Sequence, residues 1–227
     1  MRSFSSRDDC LVTDEPFYAS YLAASGLEHP GRDAVLASQD TNWQVVADSM
    51  AYADPPEDCL IWYQKHMSQH MREEMLGPWL DEFVHVFLIR QPAFVIESYL
   101  KVFPNMSLAE TGLPWQARVF QYVTEHLGRP GIVIDAADVS RNPEVTLRRL
   151  CHDLAINWQP AMLQWPAGPQ KSDGVWGRHW YQKIWESTGF RTDKAEERDL
   201  PTPAVSFLEE ANSLYNDLRT CCSKEIH

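Results

Sequence analysis

A corner in the middle of the chain, where an apolar strand meets a helix, constrains the fold more than any other feature. Residues 83–89 (FVHVFLI) are rich in β-branched and aromatic side chains, which favours a buried strand, and Pro92 suits a first helical turn. Arg90 therefore lies at the carboxyl end of a strand, the edge at which open α/β sheets bind ligands. Its planar, permanently charged guanidinium group matches the oxygens of a phosphate.

Ser98 lies on the helix that follows this strand. The apolar stripe of the helix consists of Ile96, Tyr99, Leu100 and Phe103. At about 100° per residue, Ser98 falls away from that stripe, so its hydroxyl is free to face a ligand. A surface arginine followed by a solvated serine is the alternative, and these residues alone leave both interpretations open.

Composition and charge exclude several classes of function. The 227 residues are 44% hydrophobic and 23% charged, as in an ordinary globular protein, and we expect one domain over residues 1–227. The net charge of −12 argues against binding nucleic acid or a membrane surface, because such proteins rely on clustered Lys and Arg. We see no signal or membrane-spanning segment, and the five cysteines show neither metal spacing nor a disulfide framework. We expect a cytoplasmic protein.

Short apolar runs alternate with longer helical patterns, which predicts an α/β sandwich with a mainly parallel sheet. The predicted strands are residues 10–13, 59–63, 83–89 and 131–135. The predicted helices are residues 16–24, 43–50, 68–76, 92–103, 114–126, 143–155, 176–187 and 204–219. Residues 157–175 contain repeated tryptophan, proline and glycine interruptions and are predicted to form a long loop or lid.

Several segments carry a family resemblance, and their order along the chain agrees with the order in that family. Residues 87–98 (FLIRQPAFVIES) resemble the 3′-phosphate-binding segment of the sulfotransferases. Residues 132–151 resemble the late strand and following helix of that family, and residues 63–67 (YQKHM) are similar to a strand end of cytosolic sulfotransferases. Residues 14–18 (DEPFY) resemble a bacterial group of sulfotransferase-like proteins. The resemblance spans most of the chain.

This resemblance implies a P-loop-type three-layer α/β sandwich and the donor 3′-phosphoadenosine 5′-phosphosulfate, with no metal. The implied activity is transfer of a sulfuryl group to a hydroxyl or amine on a small-molecule or peptide acceptor. By the same resemblance, Arg90 and Ser98 bind the 3′-phosphate of the donor. Lys171 lies in a loosely similar segment that covers this phosphate in cytosolic sulfotransferases.

The resemblance departs from the family at its amino-terminal end. The family opens with a strand and a loop like Ser-Gly-Pro-Arg-Asn-x-Ser-Thr, whose backbone amides wrap the 5′-phosphosulfate. We expect both to be missing from residues 1–227, because residues 1–7 resemble the end of the next helix. A start assigned at an internal methionine is our preferred explanation, and a genuine short form that lost donor binding competes with it. Without the first strand, neighbouring strands would have unpaired backbone N–H and C=O groups, so a stable fold would need another segment or a partner to pair with them. A second copy of the chain, as in a homo-oligomer, is one such partner.

Sulfuryl transfer needs a base near the acceptor and positive charge near the leaving group. Glu15 and His66 are the candidate bases, because tyrosyl-protein and cytosolic sulfotransferases use a similar glutamate and a similar histidine, respectively. Lys65 is the candidate cation. For Asp14 and Glu15 the alternative role is to cap a helix, and for Lys65 it is an ordinary surface position. For His66 the alternative is a strand-end histidine whose hydrogen bonds are made with the backbone. A zinc site at His66 and His70 is less favoured, since the glutamate of a His-Glu-x-x-His motif is absent.

Two other functions compete with sulfuryl transfer. A nucleotide or small-molecule kinase would share the fold, but it needs a Gly-x-x-x-x-Gly-Lys-Ser/Thr loop that we do not find in the sequence. A non-catalytic remnant that binds nucleotide or serves as an interaction module belongs to a different class. Binding of 3′-phosphoadenosine 5′-phosphate, followed by thermal unfolding, discriminates among these functions.

Overall fold

The structure is a computed structural model that describes residues 1–53, 59–128, 130–191 and 202–222. The strands in these ranges are β1 (Cys10–Asp14), β2 (Ile61–Lys65), β3 (Val86–Ile89) and β4 (Ile132–Asp135). The α-helices are α1 (Arg2–Ser5), α2 (Tyr18–Ser25), α3 (Arg32–Ser38), α4 (Trp43–Tyr52), α5 (Pro92–Leu100), α6 (Leu113–His126), α7 (Ala136–Arg141), α8 (Pro143–Asp153), α9 (Gly177–Trp180), α10 (Gln182–Trp185) and α11 (Thr202–Thr220). Short 3₁₀ turns are Ser68–His70, Glu73–Met75, Pro78–Glu82, Ala109–Thr111 and Pro160–Leu163.

The chain divides into two compact units. Unit 1 comprises Met1–Glu82 and Asn157–Phe190, and unit 2 comprises Phe83–Ile156 and Arg191–His227. Each unit contains a pair of parallel strands with helices around it. The predicted α/β class and the parallel pairing are therefore confirmed, whereas the single domain over residues 1–227 stays a prediction.

Unit 1 is built on the pair of β1 and β2. The register aligns Cys10 with Ile61 and Asp14 with Lys65. Parallel strands end at the same edge, so the residues that follow β1 and those that end β2 are neighbours. The core beside this edge consists of Tyr18, Ala19, Leu22, Val35, Trp176 and Tyr181. Because α2, α3 and the α9–α10 segment all contribute to this core, it anchors elements from both ends of unit 1.

Unit 2 is built on the pair of β3 and β4, which aligns Ile89 with Asp135. Alternate residues of β3 point to opposite faces, so Phe87 and Ile89 are buried while Leu88 is 57% exposed. Pro92 occupies the first turn of α5, as predicted, since its fixed φ suits that position. Arg90 consequently lies between the end of β3 and the start of α5, which confirms the strand-to-helix corner.

Two predicted helices are wrong. Residues 68–76 form two 3₁₀ turns, because Met71 (ψ 152°) and Arg72 (ψ 161°) take extended backbone and interrupt the helical hydrogen bonds. Residues 176–187 form α9 and α10, which are separated at Tyr181. The helices α3 and α7 lie outside the predicted ones, and β2 begins and ends two residues later than predicted.

None of the helices in the described ranges is long and apolar enough to cross a membrane.

Candidate functional site

A buried group of polar side chains lies where β1 and β2 end in unit 1. The backbone N–H of Glu15 donates to the carbonyl oxygen of Lys65 at 2.8 Å, which continues the strand pairing by one residue. The Lys65 Nζ lies 3.1 Å from Asp14 Oδ1 and donates a hydrogen bond to Glu15 Oε1. Both carboxylates are more than nine-tenths buried. Lys65 therefore bridges two buried carboxylates, as a buried charge requires.

Tyr181 completes this group from the carboxyl-terminal part of unit 1. Its hydroxyl oxygen lies 2.7 Å from Lys65 Nζ, 2.8 and 2.9 Å from the two Asp14 carboxylate oxygens, and 3.0 Å from Glu15 Oε1. We call Asp14, Glu15, Lys65 and Tyr181 the Glu15 cluster. In the sequence, Tyr181 belongs only to an aromatic stripe of the kind that ordinary cores contain, and no pattern there predicts that its hydroxyl reaches the cluster.

Glu15 has an unusual backbone conformation. Its φ of 43° lies in the left-handed region, which costs a non-glycine residue on the order of 1–3 kcal/mol. Its carbonyl oxygen accepts hydrogen bonds from the N–H of Tyr18 at 3.1 Å and from Gln39 Nε2 at 3.0 Å. Gln39 Oε1 in turn accepts from the N–H of Ala19 at 3.0 Å. The start of α2 and the Gln39 amide together hold the strained turn in place.

Burial and neighbouring charges shift the pKa values of Glu15, Lys65 and Tyr181. Burial raises the pKa of the Glu15 carboxyl, and the nearby positive charge of Lys65 only partly opposes this shift. Burial lowers the pKa of Lys65, but the charges of Glu15 and Asp14 outweigh it, so the net shift is upward. Burial and the same two carboxylates raise the pKa of Tyr181. Lys65 accordingly stays charged and Tyr181 stays neutral, while Glu15 is easier to protonate than a solvent-exposed glutamate.

His66, the other candidate base, makes different contacts. Its ring lies 5.4 Å from the Phe17 ring, and its Nε2 lies 3.2 Å from Gln64 Oε1. His70 is buried between two tyrosine rings, in a 3₁₀ turn that begins after His66. The two histidines therefore do not share one face of a helix, which removes the basis of the zinc alternative. No three His, Cys, Asp or Glu residues are grouped to hold a metal ion within the described ranges.

Lys171 lies in another part of unit 1. It is exposed and lines an open cleft of about 930 Å³, together with Ser5, Gln164 and Gln170. The cleft crosses the segment predicted as a long loop, which contains the Pro160–Leu163 turn and pairs with the Gly189 region through an isolated bridge at Gln164. The assignment of Lys171 to a phosphate stays a prediction.

The Arg90 corner belongs to unit 2. Arg90 is exposed, and its guanidinium carbon lies 5.6 Å from the centre of the Phe94 ring, within range of a cation–π contact. Ser98 is exposed on α5, whereas Ile96 is fully buried, so the serine faces away from the core as the helical pattern indicated. Both side chains are accessible to a ligand, and their binding of a phosphate stays a prediction.

Comparisons with known proteins cover nearly the whole chain. A family model described as "Sulfotransferase domain" matches residues 1–221. Two proteins of Arabidopsis thaliana are similar in sequence: branched-chain-amino-acid aminotransferase-like protein 1 is 39% identical over 97% of this chain, and protein 2 is 35% identical over 96% of it. The matches cover 39% and 38% of these two proteins. The chain thus spans about two fifths of the length of these relatives.

Two solved sulfotransferase domains also resemble the chain. The domain from the Synechococcus PCC 7002 olefin synthase has a TM-score of 0.48 and 17% identity, and the match covers 84% of this chain and 72% of that chain. The domain from the curacin biosynthetic pathway has a TM-score of 0.39 and 16% identity, covering 91% of this chain and 72% of that chain. Both scores lie below 0.5, so the assignment rests on the sequence match. Because the family model covers residues 1–221, the chain belongs to the sulfotransferase family, whose P-loop-type α/β fold agrees with the predicted class.

Proposed function

We propose that this domain transfers a sulfuryl group from 3′-phosphoadenosine 5′-phosphosulfate to a hydroxyl or amine acceptor, with Glu15 as the base. Membership of the sulfotransferase family supports the reaction class. One observation carries the assignment of the base: Glu15 is buried in a strained turn at the strand edge and hydrogen-bonded to Lys65 and Tyr181. Strained, buried carboxylates with raised pKa values are typical of functional sites.

The chemistry requires little more than positioning and proton transfer. The acceptor oxygen or nitrogen forms a bond to the sulfur while the bond between sulfur and the bridging phosphate oxygen breaks, and 3′-phosphoadenosine 5′-phosphate leaves. The acceptor loses its proton to the Glu15 carboxylate. A base works best when its pKa lies near the working pH, and burial moves the pKa of Glu15 in that direction. Lys65 keeps its proton and is the cation we assign to the reacting end of the donor.

The 3′-phosphate of the donor is assigned to the corner in unit 2. Arg90 offers an exposed guanidinium at the carboxyl end of β3, and Ser98 offers an exposed hydroxyl on α5. A guanidinium can pair with two phosphate oxygens at once, and a hydroxyl can donate to a third. Lys171, exposed beside its cleft, is a weaker candidate for the same phosphate.

Binding of the reaction product tests this assignment. We expect 3′-phosphoadenosine 5′-phosphate to raise the midpoint of thermal unfolding, because a ligand that binds the folded state stabilises it. Arg90→Ala should abolish the rise. Arg141→Ala is the control and should leave the rise unchanged, because Arg141 is an exposed arginine of unit 2 that pairs with Asp138. An equal rise in both variants would remove Arg90 from the site. A larger rise with ATP would favour the kinase alternative.

The names of the two Arabidopsis relatives describe those proteins over their full length. Their matches to this chain cover about two fifths of each, and the family model assigns residues 1–221 of this chain to a sulfotransferase domain. We therefore base the proposed reaction on the family and on the Glu15 cluster.

A further inference from the structure

The hydroxyl of Tyr181 lies at the centre of the Glu15 cluster. It is within 3.0 Å of Lys65 Nζ, of both Asp14 oxygens and of Glu15 Oε1. The side chain is 5% exposed, and its ring packs in the core cluster with Tyr18 and Trp176. The oxygen is therefore held in one place, and only the direction of its O–H bond is free to change.

The direction of this O–H bond decides which carboxylate receives its hydrogen bond. The Lys65 ammonium group has three N–H bonds and three partners: Asp14 Oδ1, Glu15 Oε1 and the Tyr181 oxygen. Tyr181 thus accepts one hydrogen bond from Lys65 and has a single proton of its own to donate. Both carboxylates lie within reach of that proton. An ionised carboxylate accepts a hydrogen bond more strongly than a protonated one, so the proton follows the negative charge.

We propose that Tyr181 is a positioning residue that shares its hydroxyl proton between Glu15 and Asp14 while Glu15 is ionised and turns it wholly to Asp14 when Glu15 is protonated. This inference rests on the proposed function, because it gives Glu15 the role of the base. In the reaction, Glu15 receives the proton that the acceptor loses. The Tyr181 O–H bond then rotates toward Asp14, and the tyrosine neither gains nor loses a proton.

The groups facing Glu15 support this arrangement. Asp14 faces it from β1, Lys65 from β2, and Tyr181 from the junction of α9 and α10. One further group lies near enough to interact with the charge of Lys65: the imidazole of His70, whose pKa burial lowers well below its usual value. It is neutral at pH 7, so the tyrosine hydroxyl and Lys65 remain the hydrogen-bonding partners of the Glu15 carboxylate.

A direct measurement of the Glu15 pKa tests the inference. The glutamate carboxyl carbons of the ¹³C-labelled chain are followed by NMR as a function of pH, and the signal lost in Glu15→Gln identifies Glu15. Tyr181→Phe keeps the ring and removes the hydroxyl. We expect the pKa of Glu15 to rise by about one unit in this variant, because its ionised form loses a hydrogen bond.

Tyr63→Phe is the matched control. Tyr63 is a half-buried tyrosine of β2 whose ring stacks on Phe4 at 4.6 Å and whose hydroxyl lies outside the Glu15 cluster. It should leave the titration of Glu15 unchanged. If Tyr181→Phe unfolds, 3-fluorotyrosine at position 181, a stronger hydrogen-bond donor, should lower the pKa of Glu15.

The outcomes separate the inference from the proposed function. An unchanged pKa of Glu15 in a folded Tyr181→Phe or 3-fluorotyrosine protein overturns the inference, even if thermal stability falls, because a purely structural role would give that result. The titration needs neither sulfuryl donor nor acceptor. A shifted pKa in a protein that never binds 3′-phosphoadenosine 5′-phosphate would support the hydrogen-bond switch and reject the proposed reaction.

Discussion

Glu15 and Lys65 are joined twice, once through the backbone and once through the side chains. The N–H of Glu15 donates to the Lys65 carbonyl, and the Lys65 ammonium group donates to the Glu15 carboxylate. The first bond fixes where the Glu15 turn begins, because it extends the pairing of β1 with β2. The second fixes where its carboxylate lies. The strand register thus places the candidate base beside Lys65.

Replacing Glu15 by glutamine tests its role as the base. Glu15→Gln preserves the size of the side chain but cannot take the acceptor's proton, so we expect sulfuryl transfer to fall by about 10²–10⁴-fold. Transfer is measured as release of 3′-phosphoadenosine 5′-phosphate with a panel of hydroxyl and amine acceptors. Glu28→Gln, in a carboxylate that is 87% exposed, serves as the control. Wild-type turnover in Glu15→Gln would leave His66 as the remaining candidate.

Replacing Gln39 by alanine tests the support of the strained turn. Gln39 joins the Glu15 carbonyl to the N–H of Ala19, so Gln39→Ala removes two hydrogen bonds in a partly buried place. We expect the free energy of unfolding to fall by about 1–3 kcal/mol, measured by urea denaturation. Gln44→Ala, at an exposed position of α4, should change it by less than about 0.5 kcal/mol. Equal losses in both variants would show that Gln39 does not hold the turn.

The sequence predicted the strand end at Arg90 but not the contacts that cross between distant segments. Arg90 follows from a local pattern, since apolar runs end in polar residues where strands end, whereas Lys65 follows from the resemblance of residues 63–67 to a strand end of cytosolic sulfotransferases. Tyr181 joins Asp14 across 167 positions, and no periodicity within residues 176–187 encodes that contact. The left-handed turn at Glu15 was equally hidden, because glutamate has no preference for positive φ and tertiary contacts impose it.

Local backbone choices explain the errors in the predicted helices. Residues 68–76 have a plausible helical pattern, yet the burial of His70, Met71 and Met75 is better served by two turns separated by extended residues. The helix α3 begins after Gly31, whose φ of 76° allows the preceding turn, whereas the polar composition of this segment does not predict a helix. Tertiary packing overrides weak local propensity in the first case, and a glycine turn starts the helix in the second.

Asp135 connects β4 to the carboxyl-terminal helix of unit 2. Its carboxylate is 1% exposed, accepts a hydrogen bond from the N–H of Ala137 at 2.8 Å, and pairs with Tyr215 and Arg219 of α11. We expect Asp135→Ala to reduce the free energy of unfolding by about 2–3 kcal/mol, because it removes a helix cap and leaves the buried Tyr215 hydroxyl without its acceptor, while Arg219 is 43% exposed and can be solvated. Hydrogen exchange should show faster opening of α11.

Asp138→Ala is the control for this change. Asp138 is 41% exposed and pairs with Arg141 on the surface of the same unit, so its loss should cost less than about 1 kcal/mol. If Asp135→Ala and Asp138→Ala have the same effect, the buried group at Asp135 does not hold α11 in place.

His70 should make the stability of the chain depend on pH below neutrality. Its ring lies between Tyr18 and Tyr21, 4.8 and 4.7 Å from their centres, and burial lowers its pKa well below the usual 6.5. The unfolded chain therefore binds a proton below pH 6.5 that the folded chain does not bind, so stability is retained above that pH and lost as pH falls. The contribution is about 1.4 kcal/mol for each pH unit below 6.5. Urea denaturation between pH 7.5 and 5.5 should show this dependence in the wild type and a weaker one in His70→Phe. His152→Gln is the control, because His152 is 77% exposed, and it should behave as the wild type does. Equal pH dependence in all three proteins would mean that His70 is protonated in the folded state.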